Sequence, residues 1–382
     1  MVYSKPQVFG ALTLVFSAGE SGPPDGYYAL SGAMESGLSN HSPMTWVKET
    51  QKGSGVLAAP TSWKSVGDWG YVPVSPPGYR ALSDAAKTGV VTMTMAAIDS
   101  NKFMCVKETF DGHDYTALGN ESEKSGDFSF TERPATIPDG TGILMIPGVS
   151  FWIEGGHDGR DGGNVYVLNL PFQTYKGPQL DAPILRDYVD VPDTVNTIID
   201  RKVTVPCTAL TDKDKTPAWT VENSPVYTLQ RQRSYKLVAA LNLKESSSGG
   251  EISQDVTEGI SSTQTTSLQE KVGLKVGFEV GAEFEGLGAK VTGEVSYELG
   301  YDQSHSVTVM KSNTKGVKTQ AAARHTTALY VENHSLSALR VDGSEVSDSK
   351  ALSFYAGGSY VGVQFPPPPQ GEAPPQVTVT QV

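Results

Sequence analysis

The sequence predicts an all-β protein in two parts, and three observations carry that expectation. Gly (40) and Pro (24) are abundant, and Ser plus Thr come to about 70 of 382 residues, a composition of turns and strands rather than helices. A turn-and-strand unit recurs through the first half. In the second half, residues 272–299 alternate apolar and polar side chains with the period of a strand.

The length suggests two domains, or three at most. A formal net charge of −12 would repel a phosphate backbone or an anionic leaflet, so nucleic acid and polybasic lipid docking are poor readings. Two cysteines, Cys105 and Cys207, are too few for a disulfide framework and lack the paired spacing of a zinc site; they read as core thiols. Val8 to Ala18 is apolar after Lys5, but Phe16 does not suit a cleavage site, so the stretch reads as a first strand and not a signal peptide. The longest uncharged apolar stretch, 142–153, is broken by Pro147 and falls short of the ~20 residues of a spanning helix. The expectation is a soluble protein, retained or released by its producer. No His-Glu-x-x-His, phosphate loop or Gly-x-Ser-x-Gly is present and the His residues are scattered, so no enzyme, cofactor or metal is expected.

The first-half unit is Pro24-Asp25-Gly26-Tyr27-Tyr28-Ala29-Leu30, repeated as Pro76-Pro77-Gly78-Tyr79-Arg80-Ala81-Leu82 and, more weakly, as Pro138-Asp139-Gly140-Thr141-Gly142-Ile143-Leu144. A second echo, Trp46-Val47-Lys48-Glu49-Thr50, returns as Cys105-Val106-Lys107-Glu108-Thr109. Pro and Gly set the turn and the following residues have strand character. Three such units, each too small to close a core, predict a pseudo-threefold β-prism over 1–175. Trp46, Trp63, Trp69, Tyr71 and Trp152 suit its interior.

Residues 69–82, Trp-Gly-Tyr-Val-Pro-Val-Ser-Pro-Pro-Gly-Tyr-Arg-Ala-Leu, resemble the signature of the plant and fungal family related to vacuolar protein sorting-associated protein 62. That resemblance implies a β-prism and leaves activity open. β-Prisms elsewhere often bind sugars, an analogy at the level of fold. The candidates for receptor or glycan recognition are Asp25, Tyr27, Tyr79, Asp158, Asp161 and Asn164. The last three lie in the Gly-rich loop 155–164, which could hold a sugar or a calcium ion but reads first as a solvated hairpin loop.

Residues 176–200 are rich in Pro and Asp and read as a linker to a second domain over 201–382. There, Val272, Leu274, Val276, Phe278, Val280 and Phe284 alternate with Lys275, Glu279 and Glu283. After Glu285-Gly286 the phase inverts: Leu287, Val291, Val295 and Leu299 form the apolar row, opposite Lys290, Glu294 and Glu298. This predicts a β-hairpin reversing at Glu285-Gly286, greasy on one face and wet on the other. Each arm is long enough to cross an apolar band of ~25 Å when tilted. Ser- and Thr-rich stretches, 247–267 and 304–319, flank it.

That order of segments, Ser261-Ser262-Thr263-Gln264-Thr265-Thr266-Ser267, then 272–299, then 304–312, resembles the pore-forming module of the aerolysin superfamily, in its epsilon-toxin and mosquitocidal-toxin branch. The resemblance implies a protein that binds a protein or glycan receptor on a target cell, assembles with copies of itself and inserts one hairpin per protomer into a shared barrel. Both halves together point to a defence or insecticidal protein. The apolar row would face lipid and the other the lumen, where five Glu against two Lys over 272–299 would favour cations. The Pro-rich tail ending in Val377-Thr378-Val379-Thr380-Gln381 is a candidate cap on a sheet edge, removable by proteolysis. The rival reading is a non-lytic, lectin-like binding protein.

Overall fold

The computed structural model describes residues 2–18, 23–29, 44–65, 70–82, 85–86, 101, 103–118, 143–145, 165–207, 212–261, 264, 275–277, 283–285, 299, 312–347 and 352–381. The protein is all-β: the described residues form strands throughout, with one short helix, Pro217–Asn223.

The sheet with the longest strands is antiparallel. Its strand order is Gln173–Lys176, Thr194–Pro206, Val226–Asn242, Thr326–Leu339, Leu352–Phe365. The central Val226–Asn242 strand has 17 residues, several times an average strand. Alternation explains its early course: Tyr227, Leu229 and Arg231 are buried while Val226, Thr228 and Gln230 between them are half-exposed. A smaller sheet, Gly250–Glu258, Asn313–Ala321 and Val377–Gln381, packs on one face of the large one through Ile252, Val256, Val317 and Leu329.

Residues 176–200, expected as a linker, are built into the fold. Thr194–Pro206 starts inside them because Val195, Ile198 and Ile199 find partners on Val226–Asn242. The irregular stretch before it lies against the long sheet. Leu185 is buried, the Tyr188 carbonyl accepts from Asn242 and Thr326, and the Pro192 carbonyl accepts from the Tyr330 hydroxyl. The Pro and Asp content thus marks a packed strap.

One apolar cluster joins the two halves, with Leu12, Leu14 and Phe16 beside Val203, Val205, Val221 and Tyr227. The helix delivers Val221 to it. Thr216 caps the helix by accepting from the Trp219 N–H at 3.2 Å, Pro217 suits the first turn, and Ser224 with Pro225 ends it.

In the first half, two copies of the repeat fold alike. The Tyr27 N–H donates to Pro24 O at 3.0 Å and the Tyr79 N–H to Pro76 O at 3.1 Å; Gly26 and Gly78 have φ of +76° and +77°. Each turn feeds a short strand with the same partners in the echo: Tyr28↔Val47 and Ala29↔Trp46 in one copy, Arg80↔Val106 and Ala81↔Cys105 in the other. The third copy differs where it is described, since Ile143–Met145 pairs parallel to its neighbours, with Ile143 opposite Ala81. Leu12–Ala18 is a strand with its core face fully buried, as its apolar run predicts. Trp46 is buried and Trp63 half-buried, while Trp69 and Trp152 lie outside the described residues.

Cys105 and Cys207 are both free and buried. Burial pushes the Cys105 thiol up to about 11, and it pushes Cys207 higher still.

Candidate functional site

The two polar strands that flank the alternating segment pair with each other along their whole length. Gly250–Glu258 meets Asn313–Ala321 in nine consecutive antiparallel pairs, from Gly250↔Ala321 to Glu258↔Asn313. Residues 259–312 are therefore an excursion that leaves and re-enters a closed two-stranded stem. Thr257 and Thr314 hydroxyls meet at 3.1 Å across it, a hydrated link that costs little desolvation.

The root of the excursion is fixed on three sides. Lys315 Nζ lies 2.7 Å from Glu258 Oε2, with Glu258 almost wholly buried. Glu258 Oε1 also accepts from the Gly358 N–H at 3.2 Å, and Gly259 N–H donates to Tyr355 O at 2.9 Å. Further along, Gln264 Nε2 donates to Ser353 O at 2.8 Å, while Ser261 and Gln264 cap one another. Burial beside Glu258 keeps the Tyr360 phenol protonated, well above its ordinary value. Ile260 and Leu299 are both about 1% exposed and sit in the main core.

The hairpin itself is described at Lys275–Gly277 and Glu283–Glu285, which pair antiparallel as Lys275↔Glu285, Val276↔Phe284 and Gly277↔Glu283. The chain therefore reverses between Gly277 and Glu283, and the expected reversal at Glu285-Gly286 is corrected. The phase change read from the sequence falls just beyond this pairing. Val276 and Phe284 stand directly opposite each other, from the expected apolar row, and Lys275 stands opposite Glu285. Val272, Leu274, Phe278, Val280, Leu287, Val291 and Val295, with Glu279, Lys290, Glu294 and Glu298, lie outside the described residues.

The tail occupies the free edge of the stem. Val377–Gln381 pairs antiparallel with Asn313–Ala321, from Thr319↔Val377 to Lys315↔Gln381. Thr319 Oγ1 adds a 2.9 Å bond to Gln376 O.

A cluster of charge that sequence reasoning missed lies in the long sheet beside the root. Arg231 grips Asp200 with two nitrogens, Nε at 3.0 Å and Nη2 at 2.5 Å. Arg233 bridges to Asp200 at 3.5 Å and donates to Glu332 Oε1 at 2.5 Å, and His334 Nε2 lies 2.7 Å from that same oxygen. Burial alone would raise the Glu332 carboxyl, but the bonds from His334 and Arg233 bring it down to about 2. Burial drives the His334 imidazole below its ordinary value; Arg231 and Arg233 act in the same direction and Glu332 opposes them. Only the alternation in Arg231-Gln232-Arg233 hinted at this in the sequence; the partners lie about thirty and about a hundred residues away.

The first-half candidates separate. Asp25 is exposed. Tyr27 is packed with Val15 and Trp46, its ring under Lys48 Nζ at 4.5 Å, and the Tyr79 hydroxyl donates to Gly55 O at 2.7 Å, so both rings serve the fold. Asp158, Asp161 and Asn164 lie outside the described residues. Among the described residues no group of three or more His, Cys, Asp or Glu side chains gathers to hold a metal, and no helix is long and apolar enough to cross a membrane.

Stem, excursion and edge-capping tail define an all-β protein built around a strand-flanked hairpin segment. Residues 198–348 match the model of a family described as insecticidal crystal toxin, P42. Among solved structures the chain is similar to Cry35Ab1, with a TM-score of 0.40 and 13% identity over 95% of this chain and 79% of that one, a likeness too low to carry an argument. Comparison with curated proteins finds no match.

Proposed function

We propose that this chain is an insecticidal β-pore-forming toxin, in which copies assemble on a target-cell membrane and contribute the hairpin within 272–299 to a shared barrel. The observation that supports this reading is the continuous register of Gly250–Glu258 with Asn313–Ala321, which brackets the alternating segment between two paired strands. The match of 198–348 to an insecticidal toxin family supports it. In lipid every backbone N–H and C=O must be paired, so a lone hairpin cannot cross, whereas several side by side close a barrel without edges. Assembly is therefore part of the mechanism. Val272, Leu274, Val276, Phe278, Val280, Phe284, Leu287, Val291, Val295 and Leu299 then face lipid, which requires Leu299 to leave its present core position. Lys275, Glu279, Glu283, Lys290, Glu294 and Glu298 line the lumen. The first half, as a β-prism, recognises a protein or glycan receptor, and the tail strand must leave the stem edge before a neighbouring hairpin can pair there.

Dye release from vesicles made with insect gut-membrane extract, before and after limited trypsin and with electron microscopy of the same samples, tests the proposal. Leakage with rings is expected, and Phe278→Asp or Val280→Asp should abolish leakage while sparing binding. Binding without leakage or rings would instead assign the chain to non-lytic recognition.

A further inference from the structure

The buried cluster in the long sheet lies between the main body and the strand that holds the hairpin root. Leu352–Phe365 is the edge strand, and its register against Thr326–Leu339 slips between Val331↔Tyr360 and Asn333↔Tyr355. Beyond the slip a short arm remains: Asn333↔Tyr355, His334↔Phe354, Ser335↔Ser353 and Leu336↔Leu352. That arm supplies the carbonyls of Tyr355 and Ser353, which accept from Gly259 and Gln264 of the root.

His334 faces the cluster from the inner side of this arm. On its own strand it meets Glu332. From Val226–Asn242 come Arg231 and Arg233, with Arg233 directly opposite in the ladder, and from Thr194–Pro206 comes Asp200, paired to both arginines. From Leu352–Phe365 it meets the Phe354 ring, 5.6 Å between centroids, and that strand carries no charged residue. A proton on His334 adds a positive charge beside two arginines, in a site where Asp200, Arg231, Glu332 and His334 are all buried.

We propose that this cluster is an acid-sensitive latch: charging His334 loosens the Leu352–Tyr355 arm and releases the hairpin root at 259–264. This rests on the pore-forming reading for its purpose but not for its test. The direction agrees with the lowered imidazole value, since a group that resists its proton in the folded state destabilises that state as pH falls through its unfolded value of about 6.5.

Hydrogen exchange on the full chain at pH 7.5 and 5.5, corrected for the intrinsic rate, reads the latch directly. Protection at 259–261, 264 and 352–355 should fall by up to about tenfold in acid, the most that linkage allows one pH unit below 6.5, while 226–242 stays protected. His334→Gln, which keeps a donor to Glu332 but cannot charge, should remove the pH response. Arg233→Gln should reverse it, because a charged His334 then replaces the lost cation. An unchanged wild-type protein, or equal loosening in either variant, overturns the latch. Should a variant not fold, NMR titration of the His334 ring in wild-type protein decides the matter, since its midpoint must coincide with that of the loosening. Vesicle leakage is scored separately. Loosening without leakage at either pH keeps the latch and removes the pore reading, and leakage without any loosening does the reverse.

Discussion

Gly362 lies so close beneath Pro375 that a Cβ on it would stand 2.6 Å from the Pro375 carbonyl oxygen, with Pro375 Cβ at 3.2 Å and Thr319 Oγ1 at 3.3 Å. The tail passes over the edge strand at this point before joining the stem. Gly362→Ala should therefore displace the tail without removing it, at a cost of about 1–3 kcal/mol. Limited proteolysis should then cut within 366–381 faster than in wild-type protein, and if the tail restrains assembly, leakage should begin without trypsin.

Arg340 ties the end of Thr326–Leu339 to the segment before the helix. Its Nε is 2.6 Å from Asp212 Oδ2 and its Nη2 is 2.9 Å from Oδ1, and Tyr227 donates to Oδ2 at 3.0 Å. Both partners are under one-tenth exposed. Arg340→Ala leaves a buried carboxylate without its counter-charge and should cost about 3–5 kcal/mol in urea unfolding. Arg340→Lys, which restores charge without the bidentate fork, should recover part of it.

Glu332 has its own acid signature. Its folded value is held at about 2, below the ordinary 4.5, so its contribution is complete above about pH 4.5 and is lost as pH falls toward 2. The loss should be on the order of 3 kcal/mol. Denaturant midpoints followed across that window should fall for wild-type protein, whereas Glu332→Gln should begin less stable and change little.

The paired turns of the repeat make a controlled comparison. Gly26 and Gly78 both have positive φ, and neither has an atom within 4 Å of a built Cβ, so Ala there is opposed by backbone strain alone. Each substitution should cost about 1–2 kcal/mol, by thermal or chemical unfolding. Equal costs would reflect their shared turn geometry; a much larger loss at one would mean that it supports contacts the other lacks.

Much of this protein was legible in its residues because the informative patterns are local. An apolar run marked Leu12–Ala18, and Pro-x-Gly-Tyr marked two turns that fold in one register, since Pro fixes φ and Gly admits a positive φ whatever surrounds them. Parts of the Ser- and Thr-rich flanks, 250–258 and 313–319, were visible as strands, and so was the tail, while 262–263, 265–267 and 304–311 lie outside the described residues. What escaped depends on partners distant in sequence. The Asp- and Pro-rich segment became a packed strap because Tyr188 and Pro192 carbonyls find donors from 242, 326 and 330. The hairpin reversal moved toward residue 280 because register is decided by pairing between strands, and alternation shows only which residues share a face. Asp200, Arg231, Arg233, Glu332 and His334 are unremarkable singly; only the sheet, by bringing three strands together, joins them in one cluster. Periodicity thus determined which segments are strands, and the tertiary structure decided what each strand pairs with and which charges it buries.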